Sequence, residues 1–250
     1  MSSRVATSAV AMSMFLFVSA ASAGPDHIEE GDAGSLPGTA QKVYKSITLL
    51  RLDTISGTLG GIRGIDREDM YLIRIVDPPN FRASTVPADG GSAGFDSQLW
   101  LFKPLVPPQP GDPALGLLAN DDFAPGGTLF SRILPLATDG TGAQITDPGD
   151  YYIAISAFGT VPLSAGGPIF QFTTRHEISG ADGPGGGAPV VDWNEAPPMP
   201  GEYVIAFTGA EGFPREVPAL SPLGMVILAM GVAACGAVLI FIRRKLGSGA

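Results

Sequence analysis

Proline and glycine punctuate this chain so densely that a long helix outside its two apolar ends has nowhere to form: of 250 residues, 34 are Gly and 23 are Pro. Proline removes a backbone donor and clashes with the preceding helical turn, whereas short β segments fit between such breaks. The segments that remain are β-branched or aromatic and bounded by turn residues. They predict strands over residues 42–50, 53–59, 69–76, 81–86, 98–102, 115–119, 128–134, 151–158, 170–174 and 203–208. Period-2 alternation is plain in Tyr71-Leu72-Ile73-Arg74-Ile75 and in Tyr152-Ile153-Ala154-Ile155-Ser156. Several strands are apolar at both phases, which predicts strands covered on both faces or central in a sandwich. The fold class expected is all-β, an antiparallel β-sandwich.

The two ends carry a different signal. Arg4, an apolar stretch over residues 10–19 and the small residues Ala21-Ser22-Ala23 read as a secretory signal over residues 1–23, cleaved after Ala23 with Ala21 at the other small position. Residues 223–242 hold no charge, and about twenty helical residues reach roughly 30 Å, the thickness of a bilayer's hydrocarbon core. Arg243, Arg244 and Lys245 come directly after, so they stop transfer and place residues 243–250 in the cytoplasm with the bulk of the chain outside. A single C-terminal transmembrane helix is therefore expected.

Ahead of that run stands Val217-Pro218-Ala219-Leu220-Ser221. With the apolar run and the basic cluster it resembles the C-terminal sorting signals of the PEP-CTERM type, in particular the IPTL-CTERM variant. Pro218, Leu220, Ser221 and Gly224 match that pattern, while Val217, Ala219 and Leu223 replace its Ile, Thr and Trp. The resemblance implies a bacterial envelope protein, handled by an exosortase-like membrane protease in a cell that makes exopolysaccharide.

Between Gly24 and Val217 lie all 24 Asp and Glu against 11 Lys and Arg, a formal charge of about −13 for the mature ectodomain. Nucleic acid is excluded as a partner, because such binding draws its affinity from cations at phosphates. The acidic balance suits divalent cations or polymers without strong negative charge, exopolysaccharide or other matrix components among them. Cys235, the only cysteine, lies in the apolar run, so the ectodomain has no disulfide and no cysteine-built zinc site.

Residues 24–41 are polar, acidic and aperiodic and read as a flexible lead-in. The sandwich spans residues 42–210, with a Gly- and Pro-rich extension over 161–200 expected to be mobile, and residues 211–222 form the linker and sorting motif. The order of Thr54-Ile55-Ser56-Gly57, Asp66-Arg67-Glu68-Asp69-Met70-Tyr71, Asp96-Ser97-Gln98-Leu99-Trp100, Asn120-Asp121-Asp122 and Pro148-Gly149-Asp150-Tyr151 is similar to the bacterial pre-peptidase C-terminal domains. That resemblance implies a small jelly-roll-like sandwich. It has no counterpart for the insertion at 103–113 or for residues 161–200.

Calcium is the candidate cofactor. Asp66, Asp69, Asp96, Asn120, Asp121 and Asp122 are hard oxygen donors at strand ends, and Ca²⁺ takes six to eight oxygens. The competing reading is turn chemistry, since short Asp and Asn side chains bond their own backbone. Trp193, in a polar Pro-flanked segment, either plugs the end of the sandwich or offers a ligand-binding face, while Trp100 and the aromatic strand read as core. Gly90-Gly91-Ser92-Ala93-Gly94 has the letters of a nucleophile elbow, but the residues after Ser92 read as strand where the elbow needs a helix. The chain is thus expected to be a non-catalytic, exported structural or binding module. A polysaccharide-binding module and, behind it, a hydrolase are the competing classes.

Overall fold

The computed structural model describes residues 26–46, 49–60, 66–105, 112–126 and 128–215. The signal with Ala21 and Ala23, the sorting motif Val217–Ser221, the apolar run 223–242 and the stop-transfer cations Arg243, Arg244 and Lys245 lie outside the described residues.

The described chain is all-β. One sheet of six strands runs in the order His27–Ile28, Thr54–Leu59, Gly201–Thr208, Arg82–Ser84, Arg132–Ile133, with Ser92–Ala93 also paired to Gly201–Thr208. A second sheet of seven runs Ile178–Ser179, Ala114–Asn120, Ser97–Pro104, Gly149–Ala157, Glu68–Ile75, Ala210–Glu211, with Gln41–Lys42 joining Glu68–Ile75. All pairings among the long strands are antiparallel, as expected. The sheets as a whole are mixed, however, because His27–Ile28 and Gln41–Lys42 add in parallel, and Phe213–Pro214 pairs in parallel with Tyr44–Lys45. Residues 170–174, expected as a strand, are irregular, with bends at Thr173 and Thr174.

Alternation along the seven-stranded sheet divides its side chains between two cores, since successive residues of a strand point to opposite faces. Tyr71, Ile73, Ile75, Leu99, Leu101, Tyr151, Ile153 and Ile155 face the other sheet and pack with its Ile55, Leu59, Ala83, Tyr203, Ile205 and Phe207. The other phase, Met70, Leu72, Trp100, Phe102, Tyr152 and Ala154, forms a second core on the reverse face. Trp100, wholly buried, anchors it, with its indole Nε1 donating to Ser156 Oγ at 2.8 Å. Truncating Trp100 to alanine should cost about 3–5 kcal/mol.

The extension, expected as a Gly- and Pro-rich mobile segment, packs as the cover of this second core. Pro162–Ser164, Gly167–Pro168 and Val190–Trp193 form a small antiparallel sheet, and Ile169, Phe170, Val190 and Trp193 pack on Trp100 and Phe102. Its glycines serve close packing. A Cβ on Gly183 or Gly185 would overlap the backbone carbonyl of Pro168 or Gly167, so only glycine lets these backbones approach.

The lead-in is likewise laid down on the sandwich. Asp26 accepts the amide of Asp53 and pairs with Lys45 at 3.1 Å, Ala33 is buried, and Met70 N donates to Gly34 O at 2.8 Å. Strand addition at an open sheet edge needs no periodicity in the added segment, because backbone groups make the bonds.

Candidate metal centres

Two clusters of carboxylates assemble at strand ends. In the first, Asp32, Asp66 and Asp69 bring carboxylate oxygens within 4.8 Å of one another. Asp69 shares its strand phase with Tyr71 and Ile73, so it points into the core side of the sheet and is fully buried. Tyr203 donates to Asp69 Oδ2 at 2.6 Å, and the Tyr71 hydroxyl lies 2.5 Å from that of Tyr203. Among the described residues Asp69 Oδ1 has no hydrogen-bond partner. Burial, then the charges of Asp66, Glu29 and Asp32, push its carboxyl up to about 8. Asp66 accepts the amide of Gly60 at 3.2 Å and is pushed up to about 6 by burial and by the charges of Asp32 and Glu29.

Asp32 belongs to the lead-in and was not expected in a site. Its Oδ1 accepts the amide of Gly34 at 2.7 Å, two residues on. Beside it Glu29 accepts the amides of Ala33 and Thr58 at 3.2 and 2.9 Å, fixing the lead-in against the Thr54–Leu59 strand. Burial raises the Glu29 carboxyl against the pull of those two amides.

In the second cluster Asp96, Asp121 and Asp122 likewise have carboxylate oxygens within 4.8 Å of one another. Asp121 and Asp122 are 3% and 4% exposed, and Asp96 is half-buried. Among the described residues Asp96 Oδ1 and Asp121 Oδ1 have no hydrogen-bond partner. Burial and the charges of Asp122 and Asp96 push Asp121 up to about 7, against Arg175 and a hydrogen bond from Gln98. Burial, then Asp122, also raises Asp96.

Asn120 does not join the oxygens as expected. Its amide nitrogen donates to the carbonyls of Asp122 and Glu177 at 2.8 and 2.9 Å, and its Oδ1 accepts the amide of Arg132 at 2.6 Å. It is the frame of the second cluster, tying three segments to the end of its strand.

Cross-strand register places the two clusters at the same end of the seven-stranded sheet. Asp69 stands opposite Ile155, Ile155 opposite Leu99, and Leu99 opposite Asn120. Three strand spacings put Asp69 and Asn120 roughly 14 Å apart. Both offer oxygen alone, with neither imidazole nor thiolate, which suits a hard cation such as Ca²⁺.

Trp193, expected either to plug the end of the sandwich or to offer a face to a ligand, is instead buried in the second core on the reverse face of the seven-stranded sheet. The ring is 6% exposed, its Nε1 donates to Ser35 O at 2.7 Å, and it meets Trp100 edge-on at 6.0 Å, so no face is left for a ligand. Ser92 sits in a two-residue strand paired with Tyr203 and Val204, beside a shallow groove of about 300 Å³ walled by Glu29, Glu202 and Tyr203; neither histidine lines it. His27 is buried and donates from Nε2 to Gln41 Oε1 at 2.8 Å, while His176 is exposed. No known family model, curated protein or solved structure matches this chain.

Proposed function

We propose that this chain is a non-catalytic exported protein of the bacterial cell surface or extracellular matrix, a jelly-roll-like sandwich whose lead-in is locked down by calcium. In this reading one C-terminal transmembrane helix holds the precursor in the membrane, and an exosortase-like protease reads Val217, Pro218, Ala219, Leu220 and Ser221. Exopolysaccharide or another matrix component is the partner of the ectodomain.

The observation that carries the reading is Asp69. A wholly buried carboxylate with one oxygen unpartnered, facing Asp66 and the lead-in's Asp32, is costly unless a cation or a proton compensates it. Calcium fits the donor set, and extracellular modules bind it at about 10⁻⁴–10⁻³ M, the range found outside cells. The cation would join Asp32 to Asp66 and Asp69, and so fasten the lead-in to the sheet edge.

Two measurements test this. With the full chain in detergent, calcium in place of chelator should raise the melting temperature, and Asp69→Asn should lower that gain; equal gains in variant and wild type would remove calcium from this site. For sorting, Pro218→Ala together with Leu220→Ala should leave full-length precursor in the membrane and deplete the shorter surface form. An anchor that asks only for length and apolarity would be distributed as before.

A further inference from the structure

The second cluster stands on observations of its own. Asp96 precedes the Ser97–Pro104 strand, and Asp121 and Asp122 come after the neighbouring strand Ala114–Asn120, so antiparallel pairing brings the three carboxyl groups to one corner of the sheet. Their backbones are already committed: Ser131 Oγ donates to Asp121 O at 2.7 Å, Asp122 N donates to Arg175 O at 2.9 Å, and Phe158 N donates to Asp96 O at 2.7 Å. The carboxylates are only partly so. Gln98 bonds the Asp121 carboxyl, but among the described residues Asp122 Oδ1 receives a long bond from Thr128 Oγ1 at 3.4 Å, and Asp96 Oδ1 and Asp121 Oδ1 receive none.

Turn chemistry therefore fails to explain these side chains. An Asp that serves a turn lends its oxygen to a backbone amide nearby, as Asp139 does for Thr141 at 2.9 Å and Asp32 for Gly34. Asp121 does not, although it is only 3% exposed: its Oδ1 is unpartnered among the described residues, and its carboxyl group has an oxygen within 4.8 Å of oxygens of two other acids. Arg175 offers one positive charge against three carboxylates, and its guanidinium also stacks on Phe158 at 4.5 Å. Three negative groups on a fixed frame, with oxygens free and one positive charge near, make a cavity for a small multivalent cation.

We propose that Asp96, Asp121 and Asp122 form a second calcium site, independent of the lead-in site, which clamps the corner between the Ser97–Pro104 and Ala114–Asn120 strands. The three carboxylates supply anchoring oxygens and water fills the remaining positions of the shell. Zinc is disfavoured by the all-oxygen set. Magnesium is disfavoured because it keeps most of its own water and demands rigid octahedral geometry.

The test counts ions. Chelator-stripped full chain in detergent is dialysed to equilibrium against about 1 mM radioactive calcium with excess magnesium, a concentration chosen about tenfold above the tighter end of the extracellular range. Wild type should hold two ions, Asp121→Asn one, Asp69→Asn one, and the double variant none. An Asp121→Asn chain that still holds as many ions as wild type overturns the proposal. So does a wild type that holds a single ion lost only in Asp69→Asn, in which case the lead-in site stands alone. A single ion lost only in Asp121→Asn would uphold this site and remove the first. Asparagine keeps the shape and removes charge repulsion; should Asp121→Asn nonetheless misfold, Asp96→Asn, at a half-exposed position, carries the same count.

Discussion

The two acidic clusters look alike in composition and differ in what they join. Asp96 and Asp121–Asp122 lie at the ends of strands that already pair with each other, so a cation there reinforces a corner the sheet has built. Asp32 comes from a segment held by short parallel pairings and by the Glu29 carboxylate, while Asp66 and Asp69 belong to the main sheet. A cation there fastens one part of the chain to another. Equal charge can thus serve stiffness in one place and attachment in another, and the connectivity of the ligands decides which.

The largest effect that tests this contrast is loss of both ions. With dissociation constants of about 10⁻⁴ M, 1 mM calcium stabilises the native state by about 1.4 kcal/mol per site, or about 3 kcal/mol for two. Urea unfolding in calcium and in chelator should differ by that amount, and with Asp69 and Asn120 roughly 14 Å apart the contributions of Asp69→Asn and Asp121→Asn should add. A single substitution that removes the whole difference would merge the clusters into one unit.

Protection of the lead-in comes next. In chelator, a protease should cut within residues 26–40 about tenfold faster, because local opening there loses about 1.4 kcal/mol of opposition. Asp69→Asn should be cut at that faster rate even in calcium, whereas Asp121→Asn in calcium should resist like wild type. Equal rates in the two variants would dissolve the distinction between attaching and stiffening.

A smaller effect separates the clusters by pH. Without metal, Asp69 keeps its proton in the folded state up to about 8 and Asp121 up to about 7, while both ionise near 4 when unfolded. The native state then binds more protons, so stability falls as pH rises from 4 toward those values. Between pH 7 and 8 Asp69 dominates the slope, so Asp69→Asn should flatten that limb, worth at most about 1.4 kcal/mol, and Asp121→Asn should leave it. Calcium opposes the trend, since it competes with the same protons; its stabilisation should grow from pH 5 to 8. The smallest effect is that of Ser92→Ala, expected within about 0.5 kcal/mol and without change in calcium uptake, as Ser92 is exposed and outside both clusters. A fall in calcium uptake would tie the groove beside Glu29 to the first site.

Much of this was legible in the sequence. Apolar residues at both phases of several strands announced strands covered on both sides, and the two cores on either face of the seven-stranded sheet match that division. Five carboxylates of the clusters stood out as hard oxygens at strand ends. Asp32 did not, because it joins Asp69 only through parallel strand addition, which leaves no turn signature or periodicity in the lead-in. The extension misled for a related reason. Glycine reports freedom in an isolated chain, yet at Gly183 and Gly185 it reports backbones pressed together. Asn120 and Trp193 are chemically apt for a ligand, and only tertiary contacts show that their groups are already engaged.

The position of the Gly201–Thr208 strand has a consequence in time. It pairs with Thr54–Leu59, Arg82–Ser84 and Ser92–Ala93, so it occupies the middle of its sheet although it is the last long strand in the described chain. Nucleation around it must wait for synthesis to reach Thr208, and closing loops of well over a hundred residues makes the search slow. In the exported reading proposed above, where the chain would cross the membrane in extended form, that delay would be protective: premature collapse on the wrong side lacks the strand that would complete it.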